Sequence, residues 1–292
     1  MIAAYGSLAL AMAIVGAYVG FSKLLVAAFP VFLLAWLRFG VAAVAMAHWL
    51  RRPVHEPPTD RRMRQLLFLE SLLGNFLFSI LMLYGMRHAD AITAGVVMSA
   101  IPAAVALLSW LFLRERIAGR TWLAIALAVL GVAILATSRE ANATHVSLLG
   151  IVLLLGAVLC EASYVVIGKR LTGQVSPRRI SAIINLWGLV LVTPFGLWQA
   201  QDFDFRAVSP GLWGGLVLYA LAASMWTVWL WMTGLKRVPA ARAGVFTVFL
   251  PLASAAVGVL ALGERFTTTH AFAFALAIGA VLLATWPSAQ QR

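Results

Sequence analysis

Ten apolar stretches of 17 to 23 residues, separated by short polar gaps, decide what this chain can fold into. They cover residues 4–22, 31–50, 66–86, 91–113, 121–137, 148–168, 178–199, 211–233, 240–262 and 269–286. A helix rises about 1.5 Å per residue, so about 20 apolar residues cross a hydrocarbon core about 30 Å thick. The expected fold is an all-α integral membrane protein of ten transmembrane helices. Composition agrees: 63% of the 292 residues are hydrophobic and 11% charged, a balance no soluble core of this size could bury. This excludes an ordinary cytoplasmic enzyme, a disordered chain and a disulfide scaffold, the last also because Cys160 is the single cysteine. The first stretch is full length and lacks a basic leader, so it reads as a span rather than a cleavable signal.

The net charge of +12 does not indicate a nucleic-acid partner, because the cations lie in gaps between spans rather than on one polar face. Thirteen Lys and Arg fall in the gaps after even-numbered spans and in the tails, and Arg178, Arg179 and Arg242 lie in the first three residues of the spans that follow such gaps, against five in the gaps after odd-numbered spans. Cytoplasmic loops collect such residues, so both termini are expected in the cytoplasm. Nineteen Arg against three Lys fit a GC-rich bacterial genome, hence a multi-pass protein of the inner (plasma) membrane.

The chain repeats itself. Residues 91–116 and 240–265 align without gaps and share 11 of 26 positions, including Gly95 with Gly244, Pro102 with Pro251 and Glu115-Arg116 with Glu264-Arg265. The same offset pairs Gly85 with Gly234; a slightly smaller one pairs Tyr18 and Lys23 with Tyr164 and Lys169. The units are therefore read as 1–141 and 142–292. Each holds five spans, an odd number, so the second copy enters the membrane inverted. Inverted halves supply two nearly equivalent arrangements open to opposite faces, the basis of alternating access.

The run Tyr84-Gly85-Met86-Arg87-His88-Ala89-Asp90-Ala91, the mid-span proline and Leu113-Arg114-Glu115 resemble the drug/metabolite transporter superfamily, EamA type, and so does the second set at 233–240, Pro251 and Leu262-Gly263-Glu264. The resemblance covers essentially the whole chain and implies a ten-helix exporter of amino acids or other small metabolites. The chain departs from it in the first span of each half, where a common Trp-Gly pair reads Val15-Gly16 and Glu161-Ala162.

Residues that could carry transport are those costly to leave in lipid. Pro102 and Pro251 each lie 11 residues into their spans; they free the carbonyls of Met98 and Thr247 and act as hinges or as static kinks. Glu161 lies near midplane, where an ionisable group costs on the order of 2.5–3.5 kcal/mol and should face the protein interior. It either binds a substrate ammonium, carries a proton, forms a structural pair with Arg38 or is a glutamic acid kept neutral by burial. Asn75 and Ser224 are repeat-related, and Ser79, Ser99, Ser163 and Thr247 lie within a few turns of them; together they mark a polar cavity. Tyr18, Tyr164, Trp187 and Trp226 are its expected aromatic walls, with Trp229 a weaker candidate, whereas Trp213 and Trp231 read as interfacial anchors. Spans 4 and 9 are expected to face this cavity, with spans 1, 3, 6 and 8 completing it and spans 5 and 10 as scaffold. Glu115 and Glu264 read as structural carboxylates favoured by exposed helix amides.

The reading is a carrier exporting a bulky neutral or aromatic amino acid, or another metabolite or drug of the same superfamily. A passive channel and an intramembrane lipid-modifying enzyme are the other classes. No catalytic residue, metal or cofactor is expected, since the five histidines (48, 55, 88, 145, 270) show no metal-ligand spacing. The expected partners are a small-molecule substrate and the lipid bilayer, and the protein is either a monomer or a homodimer.

Overall fold

The computed structural model describes residues 2–54, 56–113, 119–137, 147–237, 246 and 249–285, which are mostly helical with no strand among them. In chain order the helices are α1 (Ile2–Ala28), α2 (Val31–Met46, extended by a 3-10 turn to Leu50), α3 (Arg61–Glu70), α4 (Phe78–His88), α5 (Ala91–Met98), α6 (Ile101–Leu113), α7 (Gly119–Thr137), α8 (Leu148–Leu171), α9 (Pro177–Gln201), α10 (Pro210–Ala220), α11 (Thr227–Arg237), α12 (Phe249–Leu262) and α13 (Thr268–Thr285). Six continuous helical rods are long and apolar enough to cross a membrane; four shorter apolar helical segments occupy the fourth, fifth, ninth and tenth stretches. Large apolar side chains stay uncovered on the outside of the bundle, as on α9 at Val190, Phe195, Leu197 and Trp198, which suits a surface solvated by lipid. The protein is an all-α integral membrane protein.

Local chemistry sets the helix starts. Asp60 and Asp90 accept from the amides of Met63 and Thr93 at 2.6 Å and cap α3 and α5, satisfying donors that a first turn leaves open. Ser147 caps α8, and Pro177 and Pro210 occupy first-turn positions of α9 and α10, where the missing N–H removes nothing.

Two rods are widened in the middle. Ser71–Leu77 joins α3 to α4 and Leu221–Trp226 joins α10 to α11, both as π-helix, a form concentrated at functional sites. The fourth span is two helices instead of one kinked rod. It breaks at Ser99–Ala100, and Pro102 sits in the first turn of α6. Pro251 lies at the third described residue of α12. Pro102 thus stands where a helix restarts, a position at which the ring disturbs little.

Glycines let the rods touch backbone to backbone. A Cβ on Gly16 would stand 2.1 Å from the Leu250 carbonyl oxygen, and one on Gly20 2.9 Å from Val257, so α1 lies directly on α12 as small-residue interfaces permit. Gly85 of α4 meets Leu154 and Gly150 of α8, and Gly234 of α11 meets Leu8 and Ala4 of α1. Further pairs are α2 with α9, α5 with α12 and α7 with α13.

Candidate substrate cavity

Among the helices lies a small cavity of about 40 Å3, well below the roughly 300–1,000 Å3 of a site that encloses a ligand. Each wall follows from helical phase. Met12, Val15 and Tyr18 of α1 recur at three-residue spacing; Glu161 and Tyr164 share one face of α8; Thr227 and Trp231 share one face of α11 with Ala223 a turn before them. Arg38 enters from α2, Ile184 from α9, and Gly74, Asn75 and Phe78 from the widened third rod.

Arg38 is 2% exposed. Its Nη2 donates to Asn75 Oδ1 at 3.1 Å and Ser79 Oγ at 2.8 Å, and its guanidinium lies 4.3 Å from the Phe39 ring centroid and 5.8 Å from that of Tyr219. Asn75 is itself held by the Ile184 carbonyl at 3.0 Å, and Ser79 donates to the Asn75 carbonyl. The fork is therefore fixed in direction while its Nε has no partner. Glu161 lines the same cavity from α8, and among the described residues no hydrogen bond or ion pair engages its carboxylate. The structural pair between Arg38 and Glu161 is not formed. The cavity lining thus holds one cation and one carboxylate that do not touch, together with the side chains of Trp231, Phe78 and Tyr18.

Tyr18, Asn75, Glu161 and Tyr164 thus line the cavity together with Arg38. Ser79 stands behind it, orienting Arg38. Ser224 is buried, its carbonyl accepting from Ser181 at 2.9 Å, and its side chain is not among the lining groups. Met98 and Ser99 are buried elsewhere, Ser99 donating to the Val96 carbonyl at 2.5 Å. Ser163 donates to the Leu159 carbonyl on the exposed side of α8, the local bond a membrane-helix serine commonly makes. Trp187 and Trp226 are 42% and 36% exposed; Trp187 packs edge-on against Phe68. Trp229 packs with Trp49 and under Arg178. Thr247 lies outside the described residues, as does Glu115.

Among the described residues, none of the fourth or ninth span lines the cavity. The two spans close on each other instead, with Gly95 against Pro251 and Ser254 Oγ donating to the Ala91 carbonyl at 2.6 Å. Helical phase explains this, because the small face of α5 is consumed by α12. Conversely Trp231, read as an anchor, is 5% exposed and lines the cavity. Trp213 stacks in the cluster of Phe29 and Phe205. Glu264 has a structural task, though on another helix than its own successor. Its oxygens accept from the Ala91 and Ile92 amides at 2.9 and 3.2 Å, and Lys23 lies 3.5 Å away.

Sequence reasoning also missed Glu70, which is fully buried with both oxygens unpartnered. It lies four residues inside the third apolar stretch, so the rule that picks out Glu161 would have found it.

A family model described as the EamA-like transporter family matches residues 3–137 and again 148–286. An uncharacterized transporter of Bacillus subtilis, YetK, is 34% identical over 283 residues, covering 96% of this chain and 86% of that protein. The threonine/homoserine exporter RhtA of Escherichia coli is 31% identical over 189 residues, 64% of this chain and 58% of that protein. A protein crystal structure covers 95% of this chain, with 94% of its own length matched, at a TM-score of 0.63 and 17% identity, a likeness of fold. On this evidence the chain belongs to the EamA-like transporter family.

Proposed function

We propose that the protein is an alternating-access carrier that exports neutral amino acids, the bulky or aromatic ones above all, across the bacterial inner membrane with both termini in the cytoplasm. The observation that carries this reading is that Arg38 and Glu161 line one cavity without an ion pair between them. An α-carboxylate would complete the Arg38 fork with two charge-assisted hydrogen bonds, a strong and direction-sensitive contact. The α-ammonium would neutralise Glu161, and the side chain would rest among Trp231, Phe78 and Met12. The two family matches, one per half, and the matched glycine contacts of α4 on α8 and α11 on α1 support two inverted copies, 1–141 and 142–292.

The exporter name of the Escherichia coli relative supports a second choice of side chain, a small hydroxyl amino acid, with Thr227 as its hydrogen-bonding partner. Counterflow in proteoliposomes with phenylalanine, leucine, threonine and homoserine decides the matter. Trans-acceleration by phenylalanine or leucine supports the first choice and by threonine or homoserine the second. Uptake without trans-acceleration would make the protein a channel.

A further inference from the structure

Glu70 does not line the cavity, and among the described residues it is the one with two buried side-chain oxygens that both lack a hydrogen-bond partner. It closes α3 where the widened segment begins, is 0% exposed, and neither oxygen has a hydrogen-bond partner. A Cβ on Gly168 of α8 would lie 2.8 Å from its Oε1 and 3.0 Å from Met232 Cε, so the group is packed tightly against a bare stretch of backbone.

The third rod and α8 run antiparallel here. Glu70 abuts Gly168, and one turn later Gly74 abuts the ring of Tyr164. Glu161, Tyr164 and Gly168 recur at helical spacing on one face of α8, so Glu70 lies beyond Tyr164 as seen from Glu161, roughly 10 Å along the axis. The Tyr164 hydroxyl too is buried, in a residue 6% exposed, and has no hydrogen-bond partner among the described residues.

Among the described residues no cation pairs with Glu70. From α8 the titratable groups facing it are Tyr164 and Glu161, and Arg170 is exposed. On α9, Arg178 lies over Trp49 and Trp229, and Arg179 pairs with Glu56. An ionised carboxylate with neither water nor counter-ion does not stay in such a place.

We propose that Glu70 is a proton-binding site separate from the substrate cavity, occupied while α3 is packed on Gly168 and emptied for that end of the bundle to open. Binding forms the carboxyl O–H bond; release breaks it and passes the proton to water at the end of the bundle that carries Arg61, Arg62 and Arg64. The proposal deepens the carrier reading by giving its cycle a proton.

Infrared difference spectroscopy of the reconstituted full chain, titrated from mildly acidic to mildly alkaline pH, tests it without any substrate. The carbonyl stretch of a protonated carboxylic acid is expected in the wild type at neutral pH, absent in E70Q, shifted in E70D and retained in E161Q. E70Q mimics the neutral acid and is expected to elute as folded protein. A wild-type spectrum indistinguishable from that of folded E70Q overturns the proposal. So does loss of the band on adding sodium at constant pH, which would make the ligand a metal cation. A band that appears only in K169Q also overturns it, because the lysine next to Gly168 would then hold Glu70 ionised. In counterflow, E70Q is expected to slow exchange by about tenfold or more at every pH. Absent counterflow in the wild type would remove the carrier reading while leaving the infrared result to stand by itself.

Discussion

Arg38 shows how one side chain can be both buried and available. Two of its five N–H donors are spent on Asn75 and Ser79, its flanks are covered by Phe39 and Tyr219, and the rest of the fork is left for a ligand. Charged hydrogen bonds contribute about 1.5–3 kcal/mol each. Arg38→Ala should therefore weaken amino-acid binding by roughly 10- to 150-fold, and Arg38→Lys should recover only part of this because a lysine is a point charge without the fork. Ligand-induced change in tryptophan fluorescence of the purified protein measures it, and equal affinities in all three proteins would remove Arg38 from the site. Trp231→Ala should weaken phenylalanine by several-fold while sparing threonine, since only a bulky side chain reaches the indole; equal losses for both would mean that Trp231 is a packing residue.

At the scale of elements, glycine contacts separate helices that must touch from helices that merely neighbour. Gly16→Val places methyl groups into the α12 backbone at Leu250 and should destabilise the protein by about 1–3 kcal/mol, the usual range for overpacking. Gly6, with nothing within 4 Å, should accept Ala with unchanged or slightly raised stability. Thermal melting in detergent checks both, and an unaffected Gly16→Val would mean that α1 does not lie on α12. The spans were legible in the sequence because hydropathy and length alone define them. Glu161, Asn75, Tyr18 and Tyr164 were legible as cavity groups because a polar or amphipathic side chain at midplane must turn inward. The apolar lining was not, since Met12, Val15, Phe78 and Trp231 differ from lipid-facing neighbours only in helical phase. The break at Ser99–Ala100 and the widened segments were also hidden, because they are set by tertiary packing and carry no composition signal.

For the molecule as a whole, Glu264 ties three separate parts of the chain together. It joins the turn after α12 to the first amides of α5 and to Lys23 near the end of α1; Lys23 in turn donates to the Ala89 carbonyl at 3.2 Å. In the carrier reading this contact holds the outer side shut. Glu264→Gln keeps the shape but removes the ion pair and weakens two charge-assisted hydrogen bonds. Amide exchange at Ala91 and Ile92 should then quicken by roughly tenfold or more, given about 1.5–3 kcal/mol per charged hydrogen bond. Unchanged protection would assign the closure to packing alone. The central claim is that two five-span halves of opposite polarity surround the cavity. Attaching an impermeant thiol reagent to single cysteines introduced at Arg116 and Arg265, in a Cys160→Ala background, tests it most directly. The account predicts labelling from opposite faces of the membrane, with the second site reached from outside intact cells and the first only after permeabilisation; labelling of both from one face would contradict it.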